Sequence, residues 1–273
     1  MREIIYESAN LKVVKLAAAR DDVVFVTFES LQLERAPVRP GYGETFLQKR
    51  GYTGYHFLSA ANCWYQYPEM PEALAVVRAD IAAGARVITY GVSMGAYAAY
   101  RFSAPLAADA VIAFSPQWSM DPRRVWWERR WRSEGSARMW DRQLPCAKAA
   151  KYVFYDPLNQ DRRHIRNLQR EAPLDLVRLY FGGHHSPLVV QECGLLESVV
   201  LDIAENRFDR AAFERRLWQR RLLSETYRTI RRRKGSGLIK GLRYRLIEAL
   251  IERRLGAGTG AEPGPLLPDR GGA

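Results

Sequence analysis

The chain has 273 residues, 47 % of them hydrophobic, and a formal net charge of +12 at pH 7. That suits one large globular domain or two small ones with a real core; no apolar run approaches the roughly 20 residues of a membrane-spanning helix, and the N-terminus "MREIIYESANLKVVK" lacks a signal-peptide pattern. Three scattered cysteines, Cys63, Cys146 and Cys193, form no metal or redox motif and read as reduced thiols in a cytosol.

In chain order, "EIIYES" and "LKVVKLA" lie close enough to form an N-terminal hairpin. Further β-rich runs follow: "DVVFVTF" from Asp22, "YHFLSA" from Tyr55, "RVITYG" from Arg86, "AVIAFS" from Ala110, "KYVFYD" from Lys151 and "LVRLYF" from Leu176. Between most of them lie segments with helical spacing: "PEALAVVRADIAAG", with Pro71 at its start and Gly84 at its stop, then "MGAYAAYRFSA" and "DRRHIRNLQREA". This alternation predicts an α/β domain over residues 1–204, a mainly parallel sheet with helices on both faces and an antiparallel edge. Residues 117–148 break the rhythm with five of the seven tryptophans interleaved with arginines. That is too long for a connection and reads as a cap insertion of short helices near the C-terminal edge of the sheet.

From about 205 the composition turns basic. Residues 205–255 hold 16 Lys and Arg against 6 Asp and Glu, so most of the net charge lies there. Two long helices are predicted, "FERRLWQRRLLSETYRTIRRRKG" and "LIKGLRYRLIEALIERRLG". Ile239, Leu242, Leu246 and Leu250 recur at helical spacing as an apolar stripe expected to dock on the domain or a partner. Residues 256–273 are Gly/Pro-rich and read as a disordered tail.

The sharpest chemical signal is "VITYGVSMGAYAAY" at 87–100. A serine between two glycines, after a strand and before a small-residue helix, fits a strained turn that lifts Ser93 above the sheet edge. The N–H of Met94, at the helix start, can then meet a developing oxyanion. A serine nucleophile needs a base and the base an orienting acid. Of four histidines, His56 falls in a strand and His164 on the polar face of a helix, which leaves "GGHHSP" after the last strand. His185 is favoured because it starts the turn into the following helix, with His184 in reserve. "KYVFYDPLNQDRRHI" offers Asp161, deeper in its loop, as the acid, with Asp156 as the alternative. Their other roles are the N-cap of the next helix and a turn former before Pro157.

The strand order, the "GVSMG" elbow, the Asp loop and the terminal "GHHSP" together resemble the α/β-hydrolase superfamily over about residues 10–200. "NCWYQYPEM" and "GVSMGAYAAYRFS" are similar to a bacterial serine-hydrolase group with a Ser-Met-Gly-Gly-Tyr-type elbow, with Ala96 here where a second glycine is common. The resemblance implies Ser…Asp…His order, met by Ser93, Asp161 and His185. The usual His-Gly after the second strand is replaced by "VTFESL", which leaves the backbone N–H of Phe28 or Glu29 as candidates for the second oxyanion donor. Asn62, Trp64, Tyr65 and Gln66, at the same sheet edge as Ser93, are expected to form a pocket for a sugar ring or polar ester, or to be ordinary loop packing.

The expected function is a cytoplasmic serine esterase working through an acyl-enzyme, with no metal or organic cofactor implied. An acyltransferase using the same triad is one alternative, and a non-catalytic scaffold in surface-polysaccharide production is another. No nucleic-acid fold signature is present. Residues 205–255 are a solvated face or a contact with an anionic partner or the inner face of a membrane.

Overall fold

The structure is a computed structural model that describes residues 2–36, 38–131, 134 and 139–256. Eight strands form one sheet: β1 (Arg2–Glu7), β2 (Leu11–Leu16), β3 (Arg20–Phe28), β4 (Tyr52–Ser59), β5 (Arg86–Val92), β6 (Ala110–Phe114), β7 (Ala150–Tyr155) and β8 (Asp175–Arg178). Their spatial order is β1-β2-β4-β3-β5-β6-β7-β8. β1 and β2 form the expected hairpin, β2 runs antiparallel to β4, and every later pair is parallel. The central strands read as unbroken Val/Ile/Phe runs because both sheet faces are covered. On one face pack α2 (Met70–Asp80) and α3 (Met94–Arg101), through Ala73, Val77, Ala96 and Ala99. On the other pack α5 (Ser186–Glu192) and α6 (Leu196–Ala204), through Val189, Val190, Val199 and Ile203. This is the expected α/β-hydrolase-like sheet. A short helix, α1 (Glu44–Lys49), precedes β4, and α4 (Arg162–Leu168) follows the β7 loop.

The described residues of 117–148 form turns with a single 3-10 residue at Glu134, so the short α-helices expected there do not form among them. Polar anchors hold this segment instead. Ser119 and Asp121 start its turns, and Trp118 stacks under the Arg124 guanidinium at 4.0 Å.

The basic region forms α7 (Arg210–Arg220), α8 (Glu225–Lys234) and α9 (Leu238–Gly256). The single helix expected before Gly235 is broken by a 3-10 turn at Arg221–Leu223. Ser224 then caps α8, accepting from the Tyr227 N–H and donating to Glu192. Phe213, Leu217, Trp218, Tyr227 and Ile251 join the core around Phe181 and Val189, so the extension shares the domain's core. The docking face of α9 differs from the expected one. Tyr244, Ile247, Ile251 and Leu255 pack inward, while Ile239, Leu242, Leu246 and Leu250 face solvent. The tail expected to be disordered lies, beyond Gly256, outside the described residues.

Candidate active site

Ser93, between β5 and α3, has φ +53° and ψ −115°, a conformation disfavoured for any residue bearing a Cβ. The glycines around it answer to backbone rather than to flexibility. A Cβ on Gly95 would stand 2.1 Å from the Phe28 carbonyl oxygen, and one on Gly91 would stand 2.3 Å from the Gly95 carbonyl. Only hydrogens fit where α3 crosses the end of β3, and the strained turn is held in turn by the Ser93 N–H bond to Phe114 O at 2.9 Å. Met94 opens α3, where the first N–H groups lack intrahelical acceptors.

The imidazole beside Ser93 is that of His184. Its Nε2 lies 2.9 Å from Ser93 Oγ, and its Nδ1 lies 2.8 Å from Asp161 Oδ2. The favoured His185 is corrected to His184 on geometry. Gly183, at φ +61°, donates its N–H to Asp156 Oδ2 at 3.0 Å and turns the chain so that His184 projects toward the serine. His185 is instead the N-cap residue of α5, with its carbonyl taken by the Leu188 N–H, and its ring lines the cleft without bonding to Ser93 or Asp161.

Asp161 stands where the loop reading put it, and its carboxylate is turned away from capping α4. Burial pushes this carboxyl up, but the hydrogen bond and charge of His184 and the charge of Arg130 outweigh it and hold the group below the usual carboxylate range. Asp161 is therefore an ionised acceptor near neutrality, which places the imidazole proton on Nδ1 and leaves Nε2 to accept from the serine hydroxyl. Asp156, the alternative acid, braces the histidine loop through Gly183 and Leu158 N–H, and burial raises its carboxyl.

Three groups around this constellation, Arg130, Glu128 and Gln117, are not singled out by the sequence, and His164 joins them. Arg130 bonds Asp161 Oδ1 at 2.6 Å and Glu128 at 2.6 Å. Glu128 meets His164 Nε2 at 3.2 Å, and His164 Nδ1 accepts from the Trp118 N–H. His164 is thus fully buried, not on a polar helix face as expected, and desolvation lowers its pKa. Gln117 donates to Ser93 Oγ at 3.3 Å and accepts from Trp64 Nε1 at 3.0 Å. The one signal in sequence was the concentration of Trp and Arg in that insertion.

The cleft above Ser93 and His184 has a volume of about 740 Å³. Leu31, Tyr42, Phe46, Tyr90, Trp131 and Leu188 are among its apolar lining. Ser30 and Leu31 line it, whereas Phe28 and Glu29, the expected oxyanion donors, do not. Phe28 and Glu29 are both buried away from the cleft surface. Asn62, Trp64, Tyr65 and Gln66 are likewise absent from the cleft wall. Tyr65 donates to the carbonyls of Glu29 and Phe57, Gln66 bonds Trp64 O and Tyr97, and Asn62 joins Gln32 and Arg35, so the loop's polar tips are spent on packing. A second cavity of about 560 Å³ shares Arg130, His184 and His185 and adds Asn159, Gln160, Thr226 and Thr229. No group of three or more His, Cys, Asp or Glu side chains able to hold a metal ion occurs among the described residues.

No protein-family model and no curated protein sequence matches the chain. Solved structures do. A capsule O-acetyltransferase of Neisseria meningitidis serogroup A is 11 % identical with a TM-score of 0.53, over 74 % of this chain and 94 % of that one. Mouse alpha/beta hydrolase domain-containing protein 10 is 12 % identical with a TM-score of 0.49, over 76 % and 99 %. XC6422 of Xanthomonas campestris, an α/β serine hydrolase without a lid, is 19 % identical with a TM-score of 0.39, over 64 % and 80 %. With its strand order, the chain has the α/β-hydrolase fold.

Proposed function

We propose that this chain is a serine hydrolase of the carboxylesterase type with Ser93, His184 and Asp161 as its triad. The observation that carries the reading is the continuous chain Ser93 Oγ–His184 Nε2 at 2.9 Å and His184 Nδ1–Asp161 Oδ2 at 2.8 Å. Ser93 Oγ attacks the ester carbonyl as His184 Nε2 takes its proton, and Asp161 stabilises the resulting imidazolium. The Met94 N–H receives the oxyanion, with the Ser30–Leu31 backbone on the same cleft as the source of a second donor. His184 returns the proton to the leaving alcohol. Water, deprotonated by the same imidazole, then releases the acid from Ser93. The apolar wall supports an acyl chain in preference to the sugar ring or polar ester first expected.

The test is labelling of the folded protein by a fluorophosphonate, together with hydrolysis of p-nitrophenyl acetate and butyrate. Labelling and turnover in the wild type, both lost in Ser93→Ala, support the reading. An unlabelled, folded wild type would favour the non-catalytic scaffold. Transfer to a hydroxyl acceptor is the second reading, favoured by the adjoining cavity with its Asn, Gln and Thr lining. Acyl transfer to an added polyol in excess of hydrolysis would select it.

A further inference from the structure

Helix α9 carries apolar residues on two opposite faces. The inner face packs Tyr244, Ile247, Ile251 and Leu255 into the core, with the Tyr244 ring 5.7 Å from that of Phe181, and is tied to α8 by Glu248 and Arg231 at 2.6 Å. Nothing among the described residues packs on the outer face. Ile239, Leu242, Leu246 and Leu250 are 83 %, 56 %, 62 % and 54 % exposed. Steps of three and four residues place them in one row along a helix roughly 28 Å long. Scattered exposed leucines need no explanation, but a contiguous row does.

The charges beside the row select its occupant. On a helical projection Arg243 and Arg245 fall on its two flanks, and Arg253 lies within it near the C-terminal end. Lys240, Arg243, Arg245 and Arg253 are exposed and have no carboxylate partner among the described residues. A second copy of the chain would bring the same uncompensated cations against one another. An anionic bilayer would accept the apolar row among its acyl chains and the arginines among its headgroups. No helix of the described residues is long and apolar enough to cross a membrane, so the helix would lie in the interface plane. From the exposed apolar row and its unpaired cationic flanks, we infer that α9 docks the protein on anionic lipid surfaces.

The experiment is sedimentation of the full chain with phosphatidylglycerol-rich and with pure phosphatidylcholine vesicles, at low and high salt. Binding should be confined to the anionic vesicles and fall as salt rises. Combined Ile239→Ser, Leu242→Ser, Leu246→Ser and Leu250→Ser should lower it at least about tenfold while thermal melting is unchanged. Combined Arg243→Gln and Arg245→Gln, which leaves the core-packed Tyr244, Ile247, Ile251 and Leu255 in place, should lower it by roughly fivefold per residue and guards against loss of fold in the first variant. Equal binding to both vesicle types overturns the inference, as does wild-type binding by both variants. Concentration-dependent dimerisation abolished by the serine variant, without vesicle binding, would assign the face to a second copy instead.

Discussion

Replacing His184 by alanine and, separately, His185 by alanine puts the strongest test on the site. His184 bonds both Ser93 and Asp161, at 2.9 and 2.8 Å, so its removal takes away the base and the link to the acid together. A positioned base contributes roughly 10²–10⁴-fold, which is about 3–5.5 kcal/mol of barrier at ~1.4 kcal/mol per decade. The protein should still fold, because Arg130 remains on the buried Asp161 carboxylate at 2.6 Å. His185→Ala deletes cleft surface only, and kcat should stay within about threefold with any loss expressed in KM. The assay is kcat/KM on p-nitrophenyl esters, with circular dichroism to show that both variants are folded. Equal damage from the two substitutions, or a His184→Ala enzyme retaining more than about a tenth of the rate, would refute the assignment.

Asp161→Asn should cost about 10³–10⁴-fold in kcat by favouring the wrong imidazole tautomer. Because the folded Asp161 carboxyl sits below its usual value, it contributes stability above pH ~4 and loses it as pH falls through the folded value. The urea-midpoint advantage of wild type over Asp161→Asn should therefore shrink on acidification below about pH 4. Tyr65→Phe strips the donor from the carbonyls of Glu29 and Phe57 and should cost about 1–2 kcal/mol in urea unfolding. Its kcat should be unchanged, and a fall in kcat at unchanged stability would return Tyr65 to the pocket. Gly95→Ala forces a Cβ to 2.1 Å from the Phe28 carbonyl, so it should lose about 3 kcal/mol or more of stability or fail to fold, read from melting and soluble yield.

The strands were legible because buried parallel strands are written as local runs of β-branched and aromatic residues, and helix starts and stops are written in Pro, Gly and small residues. The elbow at Ser93 was legible for the same reason: its steric demand falls on residues two positions away, Gly91 and Gly95. Asp161 could be named from its place in a loop, but its rank over Asp156 rests on which carboxylate faces the imidazole and which braces Gly183. Adjacent histidines share every local signal, and His184 is distinguished from His185 only by the backbone turn that Gly183 and Asp156 impose. Asn62, Trp64, Tyr65 and Gln66 carry amphipathic side chains that suit a pocket wall or a packed loop equally, and the partners that decide it, Glu29, Gln117 and Tyr97, are distant in sequence. Periodicity likewise showed that α9 has an apolar stripe but not which face the core takes. Tyr244, Ile247 and Ile251 meet Phe181 and α8, and that choice left Ile239, Leu242, Leu246 and Leu250 outside.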